Sequence, residues 1–211
     1  MGPRILLAGL AGGVVMFFWG FVSHMLLPLG DAGISYLTYQ DEILPSISKR
    51  ISKPGLYMFP WPENPPGTPA PENDESMKQA EEMHKTMPHG LLIYNPPAGP
   101  YSMTPHLITE FATNVVSALI AAVLVCMAIG SLDSFVKRVL FVAAIGLSAG
   151  IAVNVPYWNW YEFPTSFTLA QIVEHVVGFT LVGAVIAAII KPAAAGGVAP
   201  ALGPGGVTPH A

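Results

Sequence analysis

Charge is scarce in this chain: Asp, Glu, Lys and Arg make up 10% of its 211 residues, against roughly 25% in an ordinary soluble domain. That depletion argues against a soluble globular protein. Basic runs are missing too, and the net charge is −4. Nothing could neutralise a phosphate backbone, which excludes nucleic acid as a partner. A lone cysteine, Cys126, excludes an intrachain disulfide framework and a cysteine-built zinc site. The chain has no Gly-x-x-x-x-Gly-Lys-Ser/Thr, no His-Glu-x-x-His, no Gly-x-Ser-x-Gly and no Cys-x-x-Cys. Those absences point away from nucleotide-driven transport and from the commoner hydrolytic and redox enzymes.

What is present is apolar. Hydrophobic residues reach 52% and the mean hydropathy is +0.53. A membrane helix needs roughly 20 mainly apolar residues, and four stretches qualify: Ile5–Pro28, Leu107–Gly130, Val136–Val155 and Phe167–Ile190. The first could be read as a secretory signal, with Arg4 before it and Gly30-Asp31-Ala32 after it. Its apolar run exceeds the roughly 7–15 residues of a signal core, so a retained span is expected.

The expected fold is therefore all-α and membranous: a four-transmembrane-helix bundle with a small mixed α/β subdomain inserted between helices 1 and 2. Residues 1–28 hold the N-terminus and first span, and 29–106 the extramembrane subdomain. Residues 107–191 hold the other three spans. Residues 192–211 form a Gly/Ala/Pro tail with nothing to fold around. Arg4, Lys137, Arg138 and Lys191 fall on one side of such a bundle. Both termini are thus expected in the cytoplasm, with residues 29–106 outside. A bacterial inner membrane fits best. The second outer connection, Pro156–Ser166, carries no Lys or Arg, and its Tyr157, Trp158, Trp160, Tyr161 and Phe163 suit an interfacial belt.

Within the subdomain, Ile43, Ile47 and Ile51 recur at helical spacing beside Leu44. Asp41 and Glu42 open that helix, Lys49 and Arg50 close it, and Pro45 is expected in its first turn. Gly55–Phe59 and Gly90–Tyr94 read as short strands. A proline-rich stretch from Pro54 to Pro71 forms a stiff linker, and Glu75–Lys85 a charged helix capped by Asn73 or Asp74.

Polar residues inside the spans are the most informative feature, because each ionisable group costs roughly 2.5–3.5 kcal/mol at a helix centre. His24, Glu110, Asn114, Asn154, Gln171, Glu174 and His175 all lie towards the outer ends of their spans. Stripes of small or polar residues accompany them: Gly13, Gly20 and His24; Glu110, Asn114, Ser117 and Ala121; Gly146, Gly150 and Asn154; Gln171, Glu174 or His175, and Gly178. The expected result is four faces meeting around one outward-opening polar pocket. His24, Glu110, Glu174 and His175 could hold a transition metal, and His24 with His175 could ligate a haem. Glu174 or Glu110 beside a histidine could handle protons or a small ligand. The plainer expectation is no cofactor, with Asn114, Asn154 and Gln171 completing a layer of interhelical hydrogen bonds. Outside the spans, Met77, Met83, His84, Met87, His89, Met103 and His106 supply soft ligands of the kind copper takes, without an established spacing.

The reading that follows is a multi-pass accessory subunit held in a lipid bilayer, docking a protein partner through its outer subdomain. The alternatives are a redox or metal protein built on the His/Glu cluster and a small transporter acting as a homo-oligomer.

Overall fold

The computed structural model describes residues 2–60 and 74–192. Helix α1 (Gly2–Phe21) continues into a π-helical turn at Val22–Leu26. Helix α2 (Gln40–Arg50), strand β1 (Gly55–Phe59), helix α3 (Asp74–Thr86) and strand β2 (Gly90–Tyr94) follow outside the spans. Helices α4 (Thr104–Met127), α5 (Phe135–Tyr161) and α6 (Thr165–Ile189) complete the chain. Four helices, counting α1 with its π turn, are long and apolar enough to cross a membrane. Only 22–33% of each span is buried in the protein. The remaining surface carries residues such as Leu6, Phe18, Ile120, Leu140 and Leu181. Hydrocarbon is the solvent that such a surface requires, so the architecture is that of a multi-pass membrane protein.

Local chemistry explains the helix ends. Ser134 caps α5, its Oγ accepting from the Lys137 N–H at 3.2 Å. Pro105 sits in the first turn of α4, where its missing N–H costs nothing. Lys137 Nζ donates to Asp133 Oδ2 at 3.0 Å, and this hydrogen bond holds the Asp133 carboxyl below its ordinary pKa.

Two expectations about segment ends change. The third span does not stop at Val155: α5 runs through Pro156 to Tyr161. Pro156 withholds one backbone donor, but the aromatic residues after it have no need to leave the helix. Glu162 ends it in the left-handed conformation (φ 55°), so only residues 162–164 join α5 to α6. Pro45 lies in the second turn of α2, because that helix opens at Gln40. The two strands stand where expected and pair antiparallel, with Leu56 opposite Ile93 and Met58 opposite Leu91. The linker beyond Pro60, the Asn73 cap and the tail beyond Pro192 lie outside the described residues.

Packing departs from four faces around one centre. α4 packs on α1, α1 on α6, and α6 on α5, while α4 and α5 have little contact. The helices thus form a row. Their shared core lies towards the ends that carry the chain termini: Ala8 of α1, Ala122 and Val125 of α4, Val142 of α5, and Val182 and Ile186 of α6. Glycines set the separations. A Cβ at Gly13 would stand 2.6 Å from Val115 Cα, and one at Gly146 would stand 2.7 Å from the His175 carbonyl oxygen. Gly20, expected on the same packing stripe as Gly13, has no heavy atom within 4 Å of where its Cβ would be. The π turn after Phe21 inserts a residue relative to the α-helical repeat and so shifts the register of the residues that follow Gly20.

Gly13→Leu is therefore expected to separate α1 from α4 and to cost about 1–3 kcal/mol, read as a lowered melting temperature in detergent. Gly20→Leu should leave the melting temperature unchanged. Equal effects of the two substitutions would reject this packing.

Candidate functional site

The structure gathers only some of the intramembrane polar residues. Ser23, fully buried, donates from Oγ to Glu174 Oε1 at 2.8 Å. His24 Nδ1 lies 3.2 Å from the same oxygen and 3.0 Å from the Gly20 carbonyl. The Ser23 hydroxyl is a third neighbour of the same ring nitrogen, 3.0 Å away. Trp19 Nε1 donates to the Glu174 carbonyl oxygen at 3.1 Å. It can do so because Gly178, one turn on, has no side chain: a Cβ there would meet Trp19 Cδ1 at 3.1 Å. Thus α1 and α6 are laced together by Trp19, Ser23, His24 and Glu174.

The other members find partners on their own helices. Asn114 Nδ2 donates to Glu110 Oε1 at 3.1 Å, Asn154 Nδ2 to the Gly150 carbonyl at 2.9 Å, and His175 Nδ1 to the Gln171 carbonyl at 2.8 Å. The expected four-ligand set of His24, Glu110, Glu174 and His175 does not converge. Among the described residues, the group of metal-capable side chains that does converge is elsewhere. For the haem expectation, His24 and His175 each turn Nδ1 to a helix carbonyl, so Nε2 is the ring atom each would offer to an iron. Cys126 packs against the inner core, as a small apolar residue does.

A second site lies outside the spans. The β-hairpin, α3 and the α5–α6 turn enclose a cleft of about 940 Å³. Met58, Leu91 and Ile93 form the hairpin wall, Met77 and Ala80 the α3 wall, and Trp160, Phe163 and Phe167 the base. The base is held by Trp158 Nε1 donating to Thr165 Oγ1 at 3.1 Å and by Phe163 edge-on to Phe167. Gly33 closes in on α6 with φ +76°, where a Cβ would stand 2.8 Å from Phe167 Cβ. Only glycine suits both that backbone and that approach.

At the cleft rim His84, His89 and Glu162 come together. The soft-ligand reading of this region had included His84 and His89 but not Glu162. Its signal was present, however: Glu162 is the one charged residue between Arg138 and Glu174. Of the remaining soft residues, Met77 lines the cleft, whereas His106 stacks on Tyr101 with centroids 5.6 Å apart.

The chain matches no family model, no curated protein and no solved structure.

Ser23→Ala and Glu174→Ala, made singly and together, test the lacing of α1 to α6. Polar pairs within membrane proteins couple by about 0.6 kcal/mol on average and about 1.7 at most. A coupling within that range is expected from unfolding in detergent. Strict additivity would mean that the 2.8 Å contact contributes nothing.

Proposed function

We propose that this chain is a non-catalytic accessory protein of a cell membrane, of the bacterial inner-membrane type, whose outer segment receives an extended stretch of a protein partner. The observation that carries this reading is the hairpin beside the cleft. A lone two-stranded sheet is marginal in water, and among the described residues β1 and β2 pair only with each other. Each strand therefore offers a free edge to an added strand. The hairpin is also apolar on both faces. Tyr57, Leu92 and Tyr94 are partly or fully buried on one face. On the other, Leu56 and Ile93 are 61% and 70% exposed beside the cleft. A guest strand on that edge could set alternate side chains against Met58, Leu91 and the aromatic base.

The cleft volume supports the reading as well. It falls within the roughly 300–1,000 Å³ of sites that bury most of a compact ligand, enough for several apolar side chains. Helix α2 adds Ile43 and Leu44 to the exposed apolar surface outside the spans. Both termini are proposed to face the cytoplasm. Lys137 and Lys191 support that side, although Arg138 contributes less than its charge suggests. It is buried and donates to the Leu132 and Asp133 carbonyls at 2.9 and 3.2 Å.

A photo-crosslinking side chain at Ile93, tested in intact membranes, should form one discrete protein adduct. The same group at lipid-facing Phe18 should not form it, and Leu56→Asp should abolish it. Adducts to lipid alone from Ile93 would sink the docking reading. Orientation has its own measurement, made in a Cys126→Ala background with a membrane-impermeant maleimide. Ser46→Cys should be labelled in intact cells and Gly130→Cys only after permeabilisation. The reverse pattern would invert the topology.

A further inference from the structure

Three side chains from separate parts of the chain meet at the rim of the outer cleft. His84 stands in the last turn of α3, His89 just before β2, and Glu162 at the residue that ends α5. His89 Nε2 is 2.8 Å from Glu162 Oε2, and His84 Nε2 is 3.7 Å from Glu162 Oε1. The two imidazoles stack with centroids 3.8 Å apart and 26° between planes. Their Nε2 edges therefore turn to the same carboxylate. One ligand atom from each residue lies within 4.8 Å of the other two.

We propose that His84, His89 and Glu162 form a binding site for a borderline divalent cation of the zinc class. Two imidazole nitrogens and one carboxylate oxygen are a donor set that suits such ions, whereas Cu(I) favours thiolate and thioether sulfur. Zinc takes nitrogen at roughly 2.0–2.1 Å and carboxylate oxygen at roughly 2.0–2.2 Å. Drawing the three donors in to those distances calls for small side-chain shifts. The side chains are 55%, 36% and 59% exposed, so they can move without repacking a core. Water completes the coordination, as it does at zinc sites with three protein ligands.

The site has a structural consequence. Among the described residues, helix α3 has no extensive packing against another element, and His84 joins it to Glu162 at the end of α5. A bound cation would tie α3 and the start of β2 to the α5–α6 turn, fixing the rim of the cleft. This inference stands apart from the docking proposal, because it concerns the isolated chain.

The test uses the full chain, purified in mild detergent without a polyhistidine tag and stripped with a chelator. Titration with Zn(II) alone, followed by calorimetry, is expected to give one site per chain. Loss of even an outer-shell partner weakens a metal site about 10- to 100-fold. His84→Ala, His89→Ala and Glu162→Gln should each therefore weaken binding at least about tenfold. His24→Ala and His175→Ala should leave it unchanged. Zn(II) should also raise the melting temperature of the parent protein and not that of the H84A/H89A double variant. Failure to bind zinc stoichiometrically would overturn the proposal. So would unaltered affinity in the double variant, or an equal loss in the His24 and His175 variants.

Discussion

Inside the spans no water is present to answer a polar group, so protein has to answer it, and among the described residues only Arg138 Nε and Thr168 Oγ1 are buried side-chain atoms without a partner. The positions of Ser23, Glu174, Asn114, Asn154, His175 and Arg138 follow from that requirement. Asn154 and His175 turn back to the carbonyl one turn earlier on their own helices. Ser23 and Glu174 answer each other across α1 and α6. Arg138 answers the chain where α4 gives way to α5, and its Nη2 reaches the Ala187 carbonyl near the end of α6 at 3.4 Å. Carbonyls there carry the negative end of the helix dipole, which favours a guanidinium. A buried cation is thus held by two loop carbonyls and one helix-terminal carbonyl rather than by an acid.

Close approach of backbones makes those answers reachable. Gly178 lets the Trp19 indole reach the Glu174 carbonyl, and Gly146 lets α5 settle on the His175 and Phe179 turn of α6. Between helices in lipid, packing has to supply what the hydrophobic effect supplies in water, and small residues at the contact are the means. The tight contacts are pairwise and in series, so the bundle is a row rather than a square. In a row the outer ends have fewer neighbours. Residues 104–113, the N-terminal end of α4, are exposed throughout, whereas Ala118, Ala121, Ala122 and Val125 further along are buried.

Four spans, two strands and the outer helices were legible in the sequence because each depends on local signals: run length, alternation and turn residues. The polar layer was legible in membership but not in pairing. Helical spacing shows that Glu110 and Asn114 share a face; it does not show that they would satisfy each other and leave Glu174 to Ser23. The π turn at Val22–Leu26 also rotates His24 away from the stripe that Gly13 begins. Periodicity counted at 3.6 residues per turn has no means of registering an inserted residue. Glu162 was missed for a different reason. It belongs to a connection read for its aromatics and for its lack of Lys and Arg, and its partners are 73 and 78 positions away.

The outer segment obeys a different rule from the spans, since water can answer its backbone but cannot hold its apolar surface. Its hairpin is too small to fold around a core of its own. Of the two hairpin faces, only the one with Tyr94 is covered. Among the described contacts, His84 joins α3 to Glu162 and His89 joins the start of β2 to it, and exposed contacts of this kind contribute at most about 1 kcal/mol. Such a rim is weakly held where, among the described residues, its three donors are joined to one another. A bound cation or a docked strand would each supply the missing constraint, at different places: one across Glu162, the other along Leu56 and Ile93. The cleft between them is therefore the part of the molecule whose shape an added component could control, while the glycine contacts beneath it remain as they are.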